Sequence, residues 1–318
     1  MITKGIGAST HIDAHNHKFT KEALETMKNS IKNGKYACAI KIEHDLTVMP
    51  IGKIIDADVI ELSDGEYGLS ITQEIFDEIL KYNKIGKTWY VQKSLYDNRP
   101  FSENIDSEEI KKITVSIDQT NFIQEDFKKL MNLYRDDFSL NTKILIRKSL
   151  IPNPEIIINL VTGTFLMMAV KKATDRITDK MADDLSKIYD LIKKIILNTV
   201  KYFINKDKPT TYVFVEKNEY ILEFIVISQE PNILFEALNL LFRTNINEKI
   251  DDFLMFFHNN IDINDISKMQ FLYNSELKKW ELYYINTITG LSIGSEKCYN
   301  HTQTVFQEYK KNMKDKNN

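Results

Sequence analysis

Two residues about fifty positions apart, His44 and Ser94, have the chemistry of an activated nucleophile. A serine hydroxyl attacks poorly until a base takes its proton. An imidazole that titrates near neutral pH suits that task. A third, acidic group then fixes the ring tautomer. Asp45 adjoins the histidine, and Asp118 is an acid further along the chain. In the run Ile40-Lys-Ile-Glu-His-Asp-Leu-Thr-Val-Met-Pro-Ile-Gly52, an alternating stretch ends on His44 and a Pro-x-Gly turn follows. Ser94 closes Trp89-Tyr-Val-Gln-Lys-Ser94, which has the aromatic and β-branched content of a strand.

A different chemistry is suggested by His11-Ile-Asp13-Ala-His15-Asn-His17. Alternating histidines on a strand point to one side and can hold zinc, as in the Asp-x-His-x-His signature of amidohydrolase barrels. The preceding residues do not read as a buried parallel strand, and the later chain lacks the βα alternation of a barrel. Metal-dependent hydrolysis through His15 and His17, with His11 beside them, is therefore the minor reading. The plainer one is a polar loop with Asp13 and Asn16 in turn hydrogen bonds. Gly5-Ile-Gly7 lacks the third glycine of a phosphate loop, and there is no Cys-x-x-Cys. No cofactor is expected.

Composition narrows the partners. The 318 residues are 43% hydrophobic and 27% charged, a soluble globular balance with enough apolar mass for two domains. A formal charge of −3, from 42 basic and 45 acidic residues, gives no global field for nucleic acid. Cys38 and Cys298 are expected as reduced thiols in a cytoplasmic protein. The apolar stretch 156–170 is interrupted by Asn159, Thr162, Gly163 and Thr164. It is shorter than the ~20 residues of a spanning helix and reads as a buried helix. Partners are then a protein or peptide, and the stripe from Ala173 to Ile195 is expected as core or as the seam of a homo-oligomer and not as a ligand site.

The elements that would position these residues are mixed. Helical spacing covers 19–31, with Thr20 as N-cap, and also 73–82. Strands are predicted at 36–42, 52–62, 67–72, 88–95 and 113–117, with Asp64-Gly65-Glu66 turning one hairpin. After about 122 the character changes. An amphipathic helix covers 123–138, and a long helix about 155–204. Hairpins are expected at 210–227 and 269–286, helices at 232–243 and 248–257, and a closing helix at 305–314. The fold class is α+β, in two domains, 1–122 and 123–318.

The order Gly7-Ala-Ser-Thr-His-Ile-Asp13, then Phe19-Thr-Lys-Glu-Ala-Leu24, then Glu43-His-Asp45 with Pro50-Ile-Gly52, resembles tailed-phage prohead (capsid-maturation) proteases, whose fold is shared with herpesvirus assemblins. The likeness spans about residues 5–122. It implies a small β-barrel-like N-terminal domain, Ser94 as nucleophile and His44 as base. It also implies an oxyanion met by backbone N–H groups near Arg99, and a phage, prophage or defence-locus context. Ile113-Thr-Val-Ser-Ile117 resembles the family's closing strand, with Thr114 where the third catalytic Glu is expected, so that Asp118 or Asp45 would orient His44. The family serine is followed by Ile-Gly, whereas Ser94 is followed by Leu95-Tyr96. Two functions stay open: a serine endopeptidase, or a non-catalytic binding or oligomerisation protein on a degenerate protease fold.

Overall fold

The computed structural model describes residues 1–12, 18–42, 45–84, 86–102, 112–118, 122–135, 140–145, 155–161, 164, 179–202, 209–217, 219–241, 246–257 and 261–316. Among them the chain is α+β, with six helices and two sheets, of four and ten strands. It divides into two compact units, Met1–Asn104 with Asn264–Ser267 and Tyr284–Asn318, and Ile105–Ile263 with Lys268–Tyr283. No described helix is long and apolar enough to cross a membrane.

The first unit is built around the four-stranded sheet. Its strands are β1 (Ile2–Ser9), β2 (Cys38–Ile40), β3 (Gly52–Glu61) and β4 (Tyr67–Ile75), in the order β1-β4-β3-β2. All three pairings are antiparallel. Helix α1 (Lys21–Asn33) is amphipathic, and the Thr20 hydroxyl accepts the Ala23 N–H at its start. Its buried Leu24 and Ile31 pack with Ala57, Leu69 and Ile71 of the sheet. The same unit holds β5 (Ile79–Lys84), β6 (Lys87–Gln92) and β14 (Ser292–Ser295), with β14 between β6 and the end of β13 (Lys279–Thr287). The closing helix, α6 (Glu296–Lys316), starts nine residues before the expected one.

One sequence expectation fails here. Residues 73–82 are not helical. Gln73–Ile75 continue β4, and 79–82 pair with β6. Ile75, Phe76, Ile79 and Leu80 mimic a 3.6-residue period. The hydrogen-bonding edge of β3 captures the first half of this stretch instead, through the partners Lys53↔Glu74 and Gly52↔Ile75.

The second unit carries β7 (Ile113–Asp118), α2 (Gln124–Arg135), β8 (Leu140–Leu145), β9 (Glu155–Asn159), α3 (Asp179–Tyr202), β10 (Thr210–Lys217), β11 (Ile221–Ser228), α4 (Pro231–Leu241), α5 (Ile246–Phe257) and most of β12 (Ile266–Asn274). Its strands run β12-β11-β10-β9-β7-β8. β10 and β11 form the expected antiparallel hairpin, and nearly every residue of both is buried. That suits central strands covered on both faces. The start of the expected long helix is also corrected, because 155–159 is a strand paired with β10 and β7. Its three consecutive isoleucines are β-branched and favour the sheet. The described helix begins at Asp179, and most of 162–178 lies outside the described residues.

Candidate functional site

Ser94 lies just beyond β6, at the head of a loop running to Arg99, and is half-buried. Its hydroxyl donates to the carboxylate of Glu74. The other Glu74 oxygen accepts the Leu95 N–H at 2.7 Å. The Ser94 oxygen in turn accepts the N–H groups of Tyr96 at 3.1 Å and Asp97 at 2.7 Å. One proton is given and two are received, which uses the donor and acceptor capacity of a hydroxyl. Glu74 is only 2% exposed.

The rest of the loop is held as tightly. Asp97 accepts the Arg99 backbone N–H at 2.9 Å and is clasped by the Arg99 guanidinium, with Nη2 at 2.6 Å. Burial pushes the Asp97 carboxyl up, but the Arg99 hydrogen bonds and charge outweigh it and hold it below its usual range. Arg99 Nη1 donates to the carbonyls of Ile31 and Gly34, at 2.7 and 3.1 Å, which end α1. Lys53 lies beneath, fully buried, and donates to the carbonyls of Asp97 and Arg99, at 2.7 and 2.6 Å. Burial drives its ammonium down to about 8, against the opposing pull of Asp97 and Glu74. The N–H of Arg99, where an oxyanion contact was expected, is thus bonded to Asp97.

Asp45 belongs to a second cluster in the same unit. Its Oδ1 accepts both the N–H and the hydroxyl of Thr47, each at 2.7 Å. The Thr47 oxygen is 3.0 Å from Nε2 of His301 on α6, and that nitrogen is 3.8 Å from Asp45 Oδ2. The single hydroxyl proton goes to the carboxylate, so Nε2 of His301 is the donor to Thr47. Burial raises the Asp45 carboxyl, yet the His301 and Thr47 contacts bring it below its usual value. Next to this cluster Cys298 is sealed, and burial pushes its thiol up to about 12, which makes it inert at neutral pH.

The other expected site residues are distributed as follows. His44, His15 and His17 lie outside the described residues. His11 is exposed and is bonded to Ser9 and Asp64. Asp118 ends β7 in the second unit, where its backbone pairs with Leu145. Among the described residues no group of three or more His, Cys, Asp or Glu side chains could hold a metal ion.

Lys53, Glu74, Asp97 and His301 escaped the sequence reading. Lys53 and Glu74 look like ordinary strand charges, and only the pairing of β3 with β4 puts them face to face. A further signal was available in the text itself. Leu291-Ser-Ile-Gly294 carries the Ser-Ile-Gly tripeptide that Ser94 lacks. Ser292 sits on β14, paired with Gln92 of β6, fully buried and with no hydrogen-bond partner for its hydroxyl among the described residues.

No family model, no curated protein and no solved structure matches this chain.

Proposed function

We propose that this chain is a binding or oligomerisation protein on a degenerate prohead-protease-like scaffold, in which Ser94 shapes a loop and does not attack a peptide carbonyl. The observation that carries this reading is the saturated Ser94 hydroxyl, which donates to buried Glu74 while accepting two backbone N–H groups. A nucleophile must release its proton to a base and turn a lone pair toward substrate. Here the proton is committed to a carboxylate and the lone pairs to the loop. Arg99 and its N–H are likewise spent on Asp97 and the end of α1. The partner would be a protein or peptide, in the phage, prophage or defence setting that the resemblance implies.

The peptidase reading comes second, and Ser292-Ile-Gly294 favours it. In that version Ser292 would stand for the family nucleophile, and it would have to become exposed to act. Its full burial weighs toward a scaffold that keeps the motif without the chemistry.

Treating the full chain with an active-site fluorophosphonate and mapping the modified peptides tests the proposal. Peptides bearing Ser94 and Ser292 should stay unmodified. Modification at Ser94 that disappears in His44→Ala would overturn the binding reading in favour of the peptidase.

A further inference from the structure

A separate hydrogen-bonded relay lies where the end of β1 meets the turn between β3 and β4. Ser9 is the last residue of β1, and His11 follows two positions later. Strand alternation sends both side chains to one side, while Thr10 turns to the other. Thr10 is anchored there. Its N–H donates to the Tyr67 carbonyl at 2.8 Å, its hydroxyl donates to the Glu66 carboxylate, and its oxygen accepts the Tyr67 N–H at 2.9 Å. Asp64 is presented by the hairpin turn. Gly65 adopts a φ of 81° there, and the N–H groups of Gly65 and Leu62 close the turn at 3.0 and 2.7 Å. These two anchored segments place Ser9 Oγ 3.2 Å from His11 Nδ1, and His11 Nε2 2.7 Å from Asp64 Oδ2.

The proton inventory of this chain has one consistent solution. The His11 hydrogen bond, helped by the Glu66 N–H, holds the Asp64 carboxyl below its usual range, so it is an acceptor only. An acceptor beside Nε2 selects the tautomer with the proton on Nε2. The lone pair then falls on Nδ1, toward Ser9. The Ser9 oxygen accepts the His11 N–H at 3.3 Å, which leaves its own proton free for Nδ1. The side chains of His11 and Asp64 are 44% and 55% exposed, so a small acyl donor has access.

We propose that Ser9, His11 and Asp64 form an acyl-accepting site for activated esters, with the two imidazole nitrogens in the reverse of the usual triad order. Ser9 Oγ forms a bond to the acyl carbon as its proton passes to His11 Nδ1, and the ester C–O bond breaks. A phenolate leaves as the anion, so the step needs no acid on the leaving group. The imidazolium gives its Nδ1 proton to solvent. Water, deprotonated by the regenerated imidazole, then attacks the acyl-serine, and Ser9 regains that proton from His11 as the carboxylic acid is released. Asp64 is a positioning residue that holds the tautomer. Aryl esters are the substrate class because activation of the nucleophile alone suffices for them. The site is distinct from Ser94 and does not depend on how the Ser94 loop is read.

The experiment uses the full chain with p-nitrophenyl acetate, following phenolate release and mapping the acetylated peptide by mass spectrometry. Acetylation should fall on the Ser9 peptide and vanish in Ser9→Ala and His11→Gln, while Ser94→Ala retains it. Asp64→Asn should slow it about tenfold or more. The loss should fall on the acylation rate and leave KM unchanged; a merely structural turn would not give that split. Acetyl groups found only on lysines, or an unchanged rate in Ser9→Ala, would overturn the site.

Discussion

Lys53 and Glu74 face each other across β3 and β4 as register partners, both buried, and together they carry the loop that follows Ser94. Neither is placed as surface decoration. The lysine holds two loop carbonyls and the glutamate holds the Ser94 hydroxyl and the Leu95 N–H. A buried charge survives only when its protons or lone pairs are matched, and here the backbone does most of the matching.

The buried lysine makes stability depend on alkaline pH. Its folded-state value of about 8 lies below the ordinary 10.5. Between those values the unfolded chain binds more protons, so stability rises with pH. Relative to Lys53→Met, which cannot titrate, the native protein should gain about 2 kcal/mol between roughly pH 7.5 and 10. Urea unfolding at the two pH values measures this, and a flat difference would show that Lys53 keeps an unperturbed ammonium.

Gly290 should tolerate no side chain. Its φ is 77°, and a Cβ there would come 2.3 Å from Lys53 Nζ, 2.5 Å from the Arg99 carbonyl and 2.9 Å from that of Asn98. Left-handed backbone alone costs an alanine roughly 1 kcal/mol, and two of the three clashes are with backbone that cannot step aside. Gly290→Ala should therefore lose about 3 kcal/mol or more of stability. Gly86→Ala is the control. Its φ of 69° is similar but open space surrounds it, so it should lose only about 1 kcal/mol.

The Asp45 cluster is read through Thr47, which is only 4% exposed. Thr47→Val removes a hydroxyl that serves Asp45 and contacts His301, and should cost about 1–2 kcal/mol. The depressed Asp45 carboxyl stabilises the fold above its unfolded value. That contribution disappears as pH falls through the lower folded value, below about pH 4. The stability advantage over Asp45→Asn should thus shrink only in that acid range. Loss already near neutral pH would contradict this assignment to Asp45.

Much of the scaffold was legible because short-range signals carried it. Thr20 before an amphipathic run fixed the start of α1, Asp64-Gly65 marked the hairpin of β3 and β4, and the β10–β11 pair stood out by β-branched content. What failed had a shared cause. At 73–82 and 155–159 the apolar spacing suited a helix, and strand partners distant in sequence decided otherwise. The site was less legible for the same reason. Nothing near Ser94 in sequence announces Glu74 or Lys53, and nothing near Asp45 announces His301. These groups meet only because sheet register and α6 bring them together.

The sign of one stability change tests the account of Ser94 most directly. Catalytic nucleophiles sit in sites built for reaction and are often neutral or costly for folding, so replacing them with alanine leaves stability unchanged or raises it. A hydroxyl that satisfies a buried carboxylate and two loop amides does the opposite. Urea denaturation of Ser94→Ala against the native chain should show a loss of about 1–3 kcal/mol. Equal or greater stability in Ser94→Ala would contradict the structural role assigned to Ser94.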